Sequence, residues 1–401
     1  MPMTNDEDNI KELIKVDNLW KVFGDDPSIA LEPENLGKSR AELQTEFGQV
    51  VALRDISFTV QRGETFVVMG LSGSGKSTLV RCLIRLIDPT SGNIHIDGQD
   101  VTAFDNVQLR EFRRTKISMV FQNFGLLPHR NVIDNACYGL EIKGIKKDER
   151  YDTAQKMLDL VGLKGWEDSK VNEQSGGMQQ RVGLARALVV EPEMLLMDEP
   201  FSGLDPLIRR QMRHELADLQ KEIHKTMVFI THDLDEAVSV GDKIAIMRDG
   251  KIIQMGTPEE IILNPLDDFV SEFTNDVSKE KILNLGSVCV TPDLVQNHPI
   301  DIHELKIHLQ KENADHIVFV DAPGSVVGVV TRTDLELSHN NEDLQRHIRK
   351  SPPSLNSGTN IKDAISMMAQ SQTPIPVIGK ESELIGVITQ QCLLQALATG
   401  Q

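Results

Sequence analysis

The run Gly70-Leu71-Ser72-Gly73-Ser74-Gly75-Lys76-Ser77-Thr78 has the residue types and spacing needed to hold phosphate. Its glycines let backbone N–H groups wrap an anion, and residues 79–86 behind it read as a helix whose N-terminus favours negative charge. Lys76 is spaced to reach terminal phosphates, and the Ser77 hydroxyl to ligate Mg²⁺. About 120 residues on, the apolar run 194–197 ends in Asp198-Glu199. The first carboxylate suits a metal's water shell, and the second suits a general base acting on an attacking water. The chemistry is hydrolysis of a nucleoside triphosphate.

Roughly 18 residues before the start of that strand stands Ser175-Gly176-Gly177, opening a second helical run, 182–189. Two glycines permit close approach to phosphate, while a hydroxyl and a helix N-terminus supply donors. Gln122 follows the apolar run 117–121, Ser202-Gly203-Leu204-Asp205 follows the acidic pair, and His232 follows the strand 226–230. In this order the set resembles the ABC transporter ATPases over about two thirds of the chain. The signature, LSGGQ in that family, departs here with Gln174 and Met178 at its ends.

The resemblance implies roles for these residues. Gln122 would sense the metal and the γ-phosphate, His232 would hydrogen-bond the γ-phosphate, and Asp205 would belong to the loop after the catalytic carboxylate. It further implies a head-to-tail homodimer, in which the phosphate loop of one copy and Ser175-Gly176-Gly177 of the other enclose each ATP with its Mg²⁺. An aromatic residue is expected against adenine. Phe23 and Phe47 both fit that position, because the insertion 24–46 separates them, and Phe23 is favoured.

These groups need a scaffold. Strand patterns at 14–23, 50–60 and 65–69 are followed by short apolar strands at 117–121, 194–197, 226–230 and 243–247 that alternate with helical stretches. Such alternation predicts an α/β fold with a mainly parallel sheet. The resemblance implies the fold class of a P-loop NTPase, an ABC-type nucleotide-binding domain expected over 1–275. A helix-rich block at about 130–172 forms a helical subdomain, reaching 190 with the signature included. A polar stretch at 276–287 reads as a linker. From 288 to 401, the strings Ile317-Val318-Phe319-Val320 and Val326-Val327-Gly328-Val329-Val330-Thr331 recur at an offset of 58 residues as Ile375-Pro376-Val377-Ile378 and Leu384-Ile385-Gly386-Val387-Ile388-Thr389. One strand–turn–strand–helix unit cannot bury its own sheet, so two are expected to pair.

This second region resembles a tandem of α+β CBS repeats. Together with the 24–46 insertion, Met178 and the string Gln122-Asn123-Phe124-Gly125-Leu126-Leu127-Pro128-His129-Arg130-Asn131-Val132, it resembles the glycine betaine/proline (quaternary amine) importers. The resemblance implies a transmembrane permease as partner, a substrate-binding protein acting through that permease, and a place on the cytoplasmic face of the cell membrane. An importer for another solute, or a soluble ABC ATPase, are the alternatives. Thr331 and Asp334 fit the ribose pattern of CBS repeats, whereas Thr389 is followed by Cys392 where the Asp would stand. At most one adenosine-type or cyclic-dinucleotide site is therefore expected, beside a purely structural pair or a salt sensor built on the basic cluster 346–350.

Composition agrees with these expectations. The 401 residues carry a formal charge of −18, which argues against nucleic acid as main ligand. No apolar run approaches the roughly 20 residues of a membrane-spanning helix, and residues 1–9 lack the pattern of a secretory signal. Cys82, Cys137, Cys289 and Cys392 form no CxxC pair and read as reduced, mostly buried residues.

Overall fold

A computed structural model describes residues 12–275 except 123, and residues 282–398 except 298–301, 313, 322–324, 350–352 and 370–372. The chain divides into two compact units, Met1–Val270 and Ser271–Gln401.

The strands of the first unit are β1 (Glu12–Phe23), β2 (Val50–Gln61), β3 (Thr65–Met69), β4 (Ser91–Ile96), β5 (Gln99–Asp100), β6 (Ile117–Val120), β7 (Met194–Asp198), β8 (Thr226–Thr231), β9 (Lys243–Arg248) and β10 (Lys251–Gly256). Its helices begin with α1 (Arg40–Phe47), α2 (Lys76–Leu83), α3 (Asn106–Thr115), α4 (Val132–Ala136), α5 (Tyr138–Ile142) and α6 (Lys147–Leu160). They continue with α7 (Gly176–Leu188), α8 (Pro206–Ile223), α9 (Leu234–Val240) and α10 (Pro258–Leu263).

An antiparallel sheet of order β2-β1-β4-β5 faces a six-stranded sheet of order β10-β9-β3-β8-β7-β6. In the larger sheet β9, β3, β8, β7 and β6 are parallel, and β10 is antiparallel to β9. Every residue of β3, β7 and β8 is buried, as expected for parallel strands covered on both faces. Leu53 and Phe58 of β2, Phe66 of β3 and Leu79 of α2 join one core between the sheets. The rings of Phe58 and Phe66 stack 4.7 Å apart. Because β3 runs between β8 and β9, the loop at its carboxyl end opens in the middle of the sheet. The carboxyl ends of such strands are where open α/β folds bind ligands.

The insertion 24–46 seats on the antiparallel sheet. Leu43 of α1 is fully buried with Trp20, Val22, Ala30 and Val51. Burying such a side chain contributes about 1.5–3 kcal/mol. A capping box fixes the helix start: Ser39 Oγ accepts from the Glu42 N–H, and the Glu42 carboxylate accepts from the Ser39 N–H. In the helical block, α4, α6 and α7 pack on one another through residues such as Val132, Leu158 and Val182.

The second unit contains α12 (Leu285–Val288), where α11 (Asp268–Thr274) is the helix before it, and then two three-stranded sheets. The first is β11 (Leu294–Asn297), β12 (His316–Val320) and β13 (Val326–Thr331), and the second is β14 (Leu355–Asn356), β15 (Ile375–Ile378) and β16 (Leu384–Ile388). The repeat survives to the level of register. Ile317 pairs with Val330 and Phe319 with Gly328, while 58 residues on Ile375 pairs with Ile388 and Val377 with Gly386. Even the irregularity before the last pair recurs. Val318, Val329 and Val387 share one apolar cluster. The expected pairing of the two repeats takes this form.

Two expectations need correction. Residues 276–281 of the expected linker lie outside the described residues, but 282–287 is folded. Leu283 and Leu285 are fully buried, and backbone bonds join Leu285 to Thr359 and Gly286 to Ser357. Each repeat also has a leading parallel strand, β11 or β14, beyond the strand–turn–strand expected. The four cysteines are free, and three of them are buried.

Candidate nucleotide site

Loop 70–75 leaves the carboxyl end of β3 and enters α2 at Lys76. Gly75 has φ +109°, and a Cβ there would sit 2.4 Å from the Ala52 carbonyl oxygen, so only glycine fits. Lys76 is buried, and its Nζ donates to the carbonyl oxygens of Gly70 at 2.7 Å and Leu71 at 3.1 Å. Burial lowers the lysine's pKa, against the opposing charges of Glu199 and Asp198. Ser77 Oγ donates to Asp198 Oδ1 at 3.1 Å. Asp198 ends β7, where burial raises its pKa while the Ser77 hydrogen bond and Arg81 lower it.

Glu199 comes next, with φ at 47°, a left-handed conformation uncommon for a residue other than glycine. Its N–H donates to Ile230 O of β8 at 3.0 Å. Strain of this kind costs about 1–3 kcal/mol and concentrates at functional positions. One oxygen of its carboxylate, Oε2, is shared: Gln122 Nε2 lies 3.4 Å away and His232 Nδ1 3.3 Å away. Three side chains carried at the ends of β6, β7 and β8 thus meet at one atom. Beside them is a cavity of about 460 Å³, lined by Ser72, Gly73, Gly75, Lys76, Ser77, Thr78, Gln122 and Glu199 together with Ala52 and Arg40. Cavities of this size suit small-molecule ligands. Ser74 Oγ is buried in the same loop with no hydrogen-bond partner among the described residues.

The remaining expected residues lie outside this cavity lining. Ser175 caps α7 by accepting from the Met178 N–H at 3.3 Å. Gly177 packs so closely on α8 that a Cβ would meet Ile208 Cγ2 at 2.8 Å. Asp205 caps α8, accepting from the N–H groups of Leu207 and Ile208. Phe23 and Phe47 are both partly exposed, with Lys21 Nζ 4.8 Å from the first ring centre and Lys38 Nζ 4.5 Å from the second. Phe23 pairs with Val50, two residues before the cavity-lining Ala52.

Four positioning residues escaped the sequence reading. Arg40 of α1 donates to Gly73 O at 3.0 Å. Arg186 of α7 donates to Phe124 O and Gly125 O, both at 2.7 Å, tying the segment after Gln122 to the helix that Ser175 caps. Buried Asn135 clamps the next turn through Leu127 N–H and the carbonyls of Leu127, Arg130 and Asn131. Arg209 of α8 donates to Leu204 O and lies 3.6 Å from Asp233 and 3.9 Å from Glu236. Single arginines on helices carry no spacing signal. Asn135, four residues after the capping Asn131, offered the only local clue, since a buried amide needs several partners.

Residues 53–202 match the ABC transporter family, and residues 343–399 match the CBS domain family. The glycine betaine transport ATP-binding protein OpuAA of Bacillus subtilis (strain 168) is 43% identical over 99% of this chain and 94% of its own length. The chain belongs to the ABC transporter ATP-binding proteins. Another member, the glycine betaine/proline betaine transport system ATP-binding protein ProV of Escherichia coli (strain K12), is 40% identical over 96% of this chain and 97% of its own. A solved ATP-binding cassette, the dimeric post-hydrolysis state of MJ0796 bound to ADP and Pi, superposes with a TM-score of 0.52 at 30% identity. It covers 61% of this chain and 99% of that one. The ABC transporter ATP-binding protein described here therefore adds a CBS-bearing second unit to a P-loop cassette.

Proposed function

We propose that this chain hydrolyses ATP to drive import of glycine betaine, proline or a related quaternary amine through a membrane permease. The observation that carries this reading is the meeting of Gln122, Glu199 and His232 at one carboxylate oxygen beside the phosphate loop. Glu199 takes the proton of the water that attacks the γ-phosphate, and Gln122 orients that water. His232, which reaches the same carboxylate oxygen, donates to the γ-phosphate. Lys76 leaves its two neutral carbonyl acceptors for phosphate oxygens, because charge-assisted bonds to phosphate are stronger than bonds to backbone carbonyls. Ser72, Gly73, Ser74, Gly75 and Thr78 offer N–H or hydroxyl groups to the same phosphates, and Gly70 starts the turn.

Among the described residues no three His, Cys, Asp or Glu gather to hold a metal. Ser77 and Gln122 offer the hard oxygen atoms that would hold Mg²⁺, and Asp198, hydrogen-bonded to Ser77, would hold its water shell. When bound there, Mg²⁺ neutralises charge building on the phosphates. Phe23 is the adenine platform, supported by its place on the strand beside Ala52. Ser175, Gly176 and Gly177 of a second copy close the site, with Asp205 at the seam. The chain sits peripherally on the cytoplasmic face of the membrane, held by the permease, which receives substrate from a binding protein. No helix among the described residues is long and apolar enough to cross a membrane.

The test is uptake of radiolabelled glycine betaine into proteoliposomes holding the chain, its permease and binding protein. ATP-dependent accumulation is expected, and loss of it with Glu199→Gln. Accumulation that ignores ATP, or that Glu199→Gln leaves intact, would overturn the reading.

A further inference from the structure

Two cations line the nucleotide cavity among the described residues, Lys76 and Arg40. The first comes from the phosphate loop. The second comes from the insertion, on a helix that the sequence alone gives no reason to bring there. Helix α1 is held firmly: Leu43 is fully buried, the Ser39–Glu42 capping box closes its first turn, and Lys38 pairs with Glu46 across it. From this frame Arg40 Nη1 reaches Gly73 O at 3.0 Å, and the same nitrogen lies 3.9 Å from Asp249 Oδ1. Lys76 holds the carbonyls of Gly70 and Leu71, so the two cations grip different parts of one loop.

On the nucleotide reading of this cavity, we propose that Arg40 is a phosphate ligand for the bound nucleotide, a second cation supplied by the insertion. A guanidinium offers five N–H groups in a planar fork that matches phosphate oxygens. Its partner contact does not compete strongly. Asp249 is 77% exposed and at the edge of ion-pair range, and such surface pairs are weak. A nucleotide phosphate carries more charge than one carboxylate and accepts charge-assisted bonds from a guanidinium, so Arg40 turns to it while remaining over Gly73. Phosphate binding thereby fastens α1 to the loop, which gives the insertion a role at the site.

The test is titration of mant-ATP into the full-length chain at several KCl concentrations, comparing wild type with Arg40→Ala, Arg40→Lys and Lys76→Ala. Arg40→Ala is expected to weaken binding about tenfold, the usual scale for losing a hydrogen bond to a charged group. It should also flatten the dependence of Kd on salt, because one fewer cation meets the phosphates. Arg40→Lys should restore the salt slope, which needs only the charge, and part of the affinity, which also needs the fork, and the thermal midpoint without nucleotide should stay in place. Wild-type affinity and salt slope in Arg40→Ala, alongside lost binding in Lys76→Ala, would overturn the role of Arg40 and leave the cavity assignment standing. Wild-type binding by Lys76→Ala would instead overturn the cavity assignment. A lowered midpoint with an unchanged salt slope would make Arg40 a brace for the loop, and that too would overturn the phosphate role.

Discussion

The two units use their polar side chains in opposite ways. In the first, Lys76, Gln122, Glu199 and His232 rest on neutral carbonyls or on contacts of 3.3–3.4 Å beside an open cavity, and Glu199 holds a strained backbone. In the second, the residues that resemble a ribose site are turned on each other. Thr331 Oγ1 donates to Asp334 Oδ2 at 2.6 Å, the Asp334 N–H donates back to Thr331 Oγ1, and His347 Nδ1 lies 3.2 Å from Asp334 Oδ1. The second repeat keeps this turn with Cys392 in place of the carboxylate, its N–H donating to Thr389 Oγ1 at 3.1 Å. In both repeats a hydroxyl followed three residues later by a polar group serves as a helix cap. Polar groups left weakly paired beside a cavity point to ligand chemistry, and polar groups fully paired at a helix end point to structure.

That contrast can be broken by substitution. The largest effect belongs to Glu199→Gln, which should cut ATP turnover about 10²–10⁴-fold, the span of general-base catalysis, while nucleotide binding survives. Steady-state phosphate release and mant-ATP titration of one preparation check it; turnover near wild type would move the base elsewhere. Next comes Arg209→Ala. Arg209 joins Leu204 O, Asp233 and buried Glu236, whose pKa is raised by burial and by Asp233 against its Thr231 hydrogen bond and the arginines. Turnover should fall about tenfold through kcat with little change in KM, since a positioning residue acts on the transition state. A matching fall in thermal midpoint with kcat intact would make it structural only.

Smaller changes are expected in the second unit. Asp334→Ala removes the carboxylate arm of the capping box at the start of the helix Arg332–Leu337, leaving the Thr331 cap, and should cost about 1 kcal/mol of that unit's stability with ATP turnover of the isolated chain unchanged. Denaturant unfolding measures the first and phosphate release the second. The smallest is a pH effect at His316. Its ring lies 3.0 Å from Asp293, which favours the proton, yet burial outweighs that contact and lowers its pKa below 6.5. The unfolded chain then takes up the proton more readily. Stability is fully present above pH 6.5 and falls as pH drops toward the folded value. Denaturant midpoints at pH 8 and pH 5.5 should differ, and the part owed to this ring should vanish in His316→Asn.

Much of this was legible in the chain. The phosphate loop and the acidic strand end are local patterns with their function in the spacing, and the 58-residue repeat reappears in the strand register. What escaped depends on tertiary docking. Arg40 reaches Gly73 because Leu43, three residues later, finds a fully buried site on the antiparallel sheet. Leu283 and Leu285 stand among polar residues that read as linker, and only their pairing with segment 357–361 folds them. Strands β11 and β14 run four and two residues, too short for a period to emerge. The basic cluster at 346–350 likewise takes its neighbours from the fold. Arg346 pairs with Asp343, His347 faces Asp334 and Ile348 is buried, while residue 350 lies outside the described residues.

The most direct measurement is the sedimentation of the Glu199→Gln chain with and without ATP and Mg²⁺. With nucleotide trapped and unhydrolysed, the account predicts a shift from the 44.7 kDa monomer to twice that mass, abolished when Ser175→Arg is added to the same chain. A species that stays at monomer mass under saturating nucleotide would contradict it.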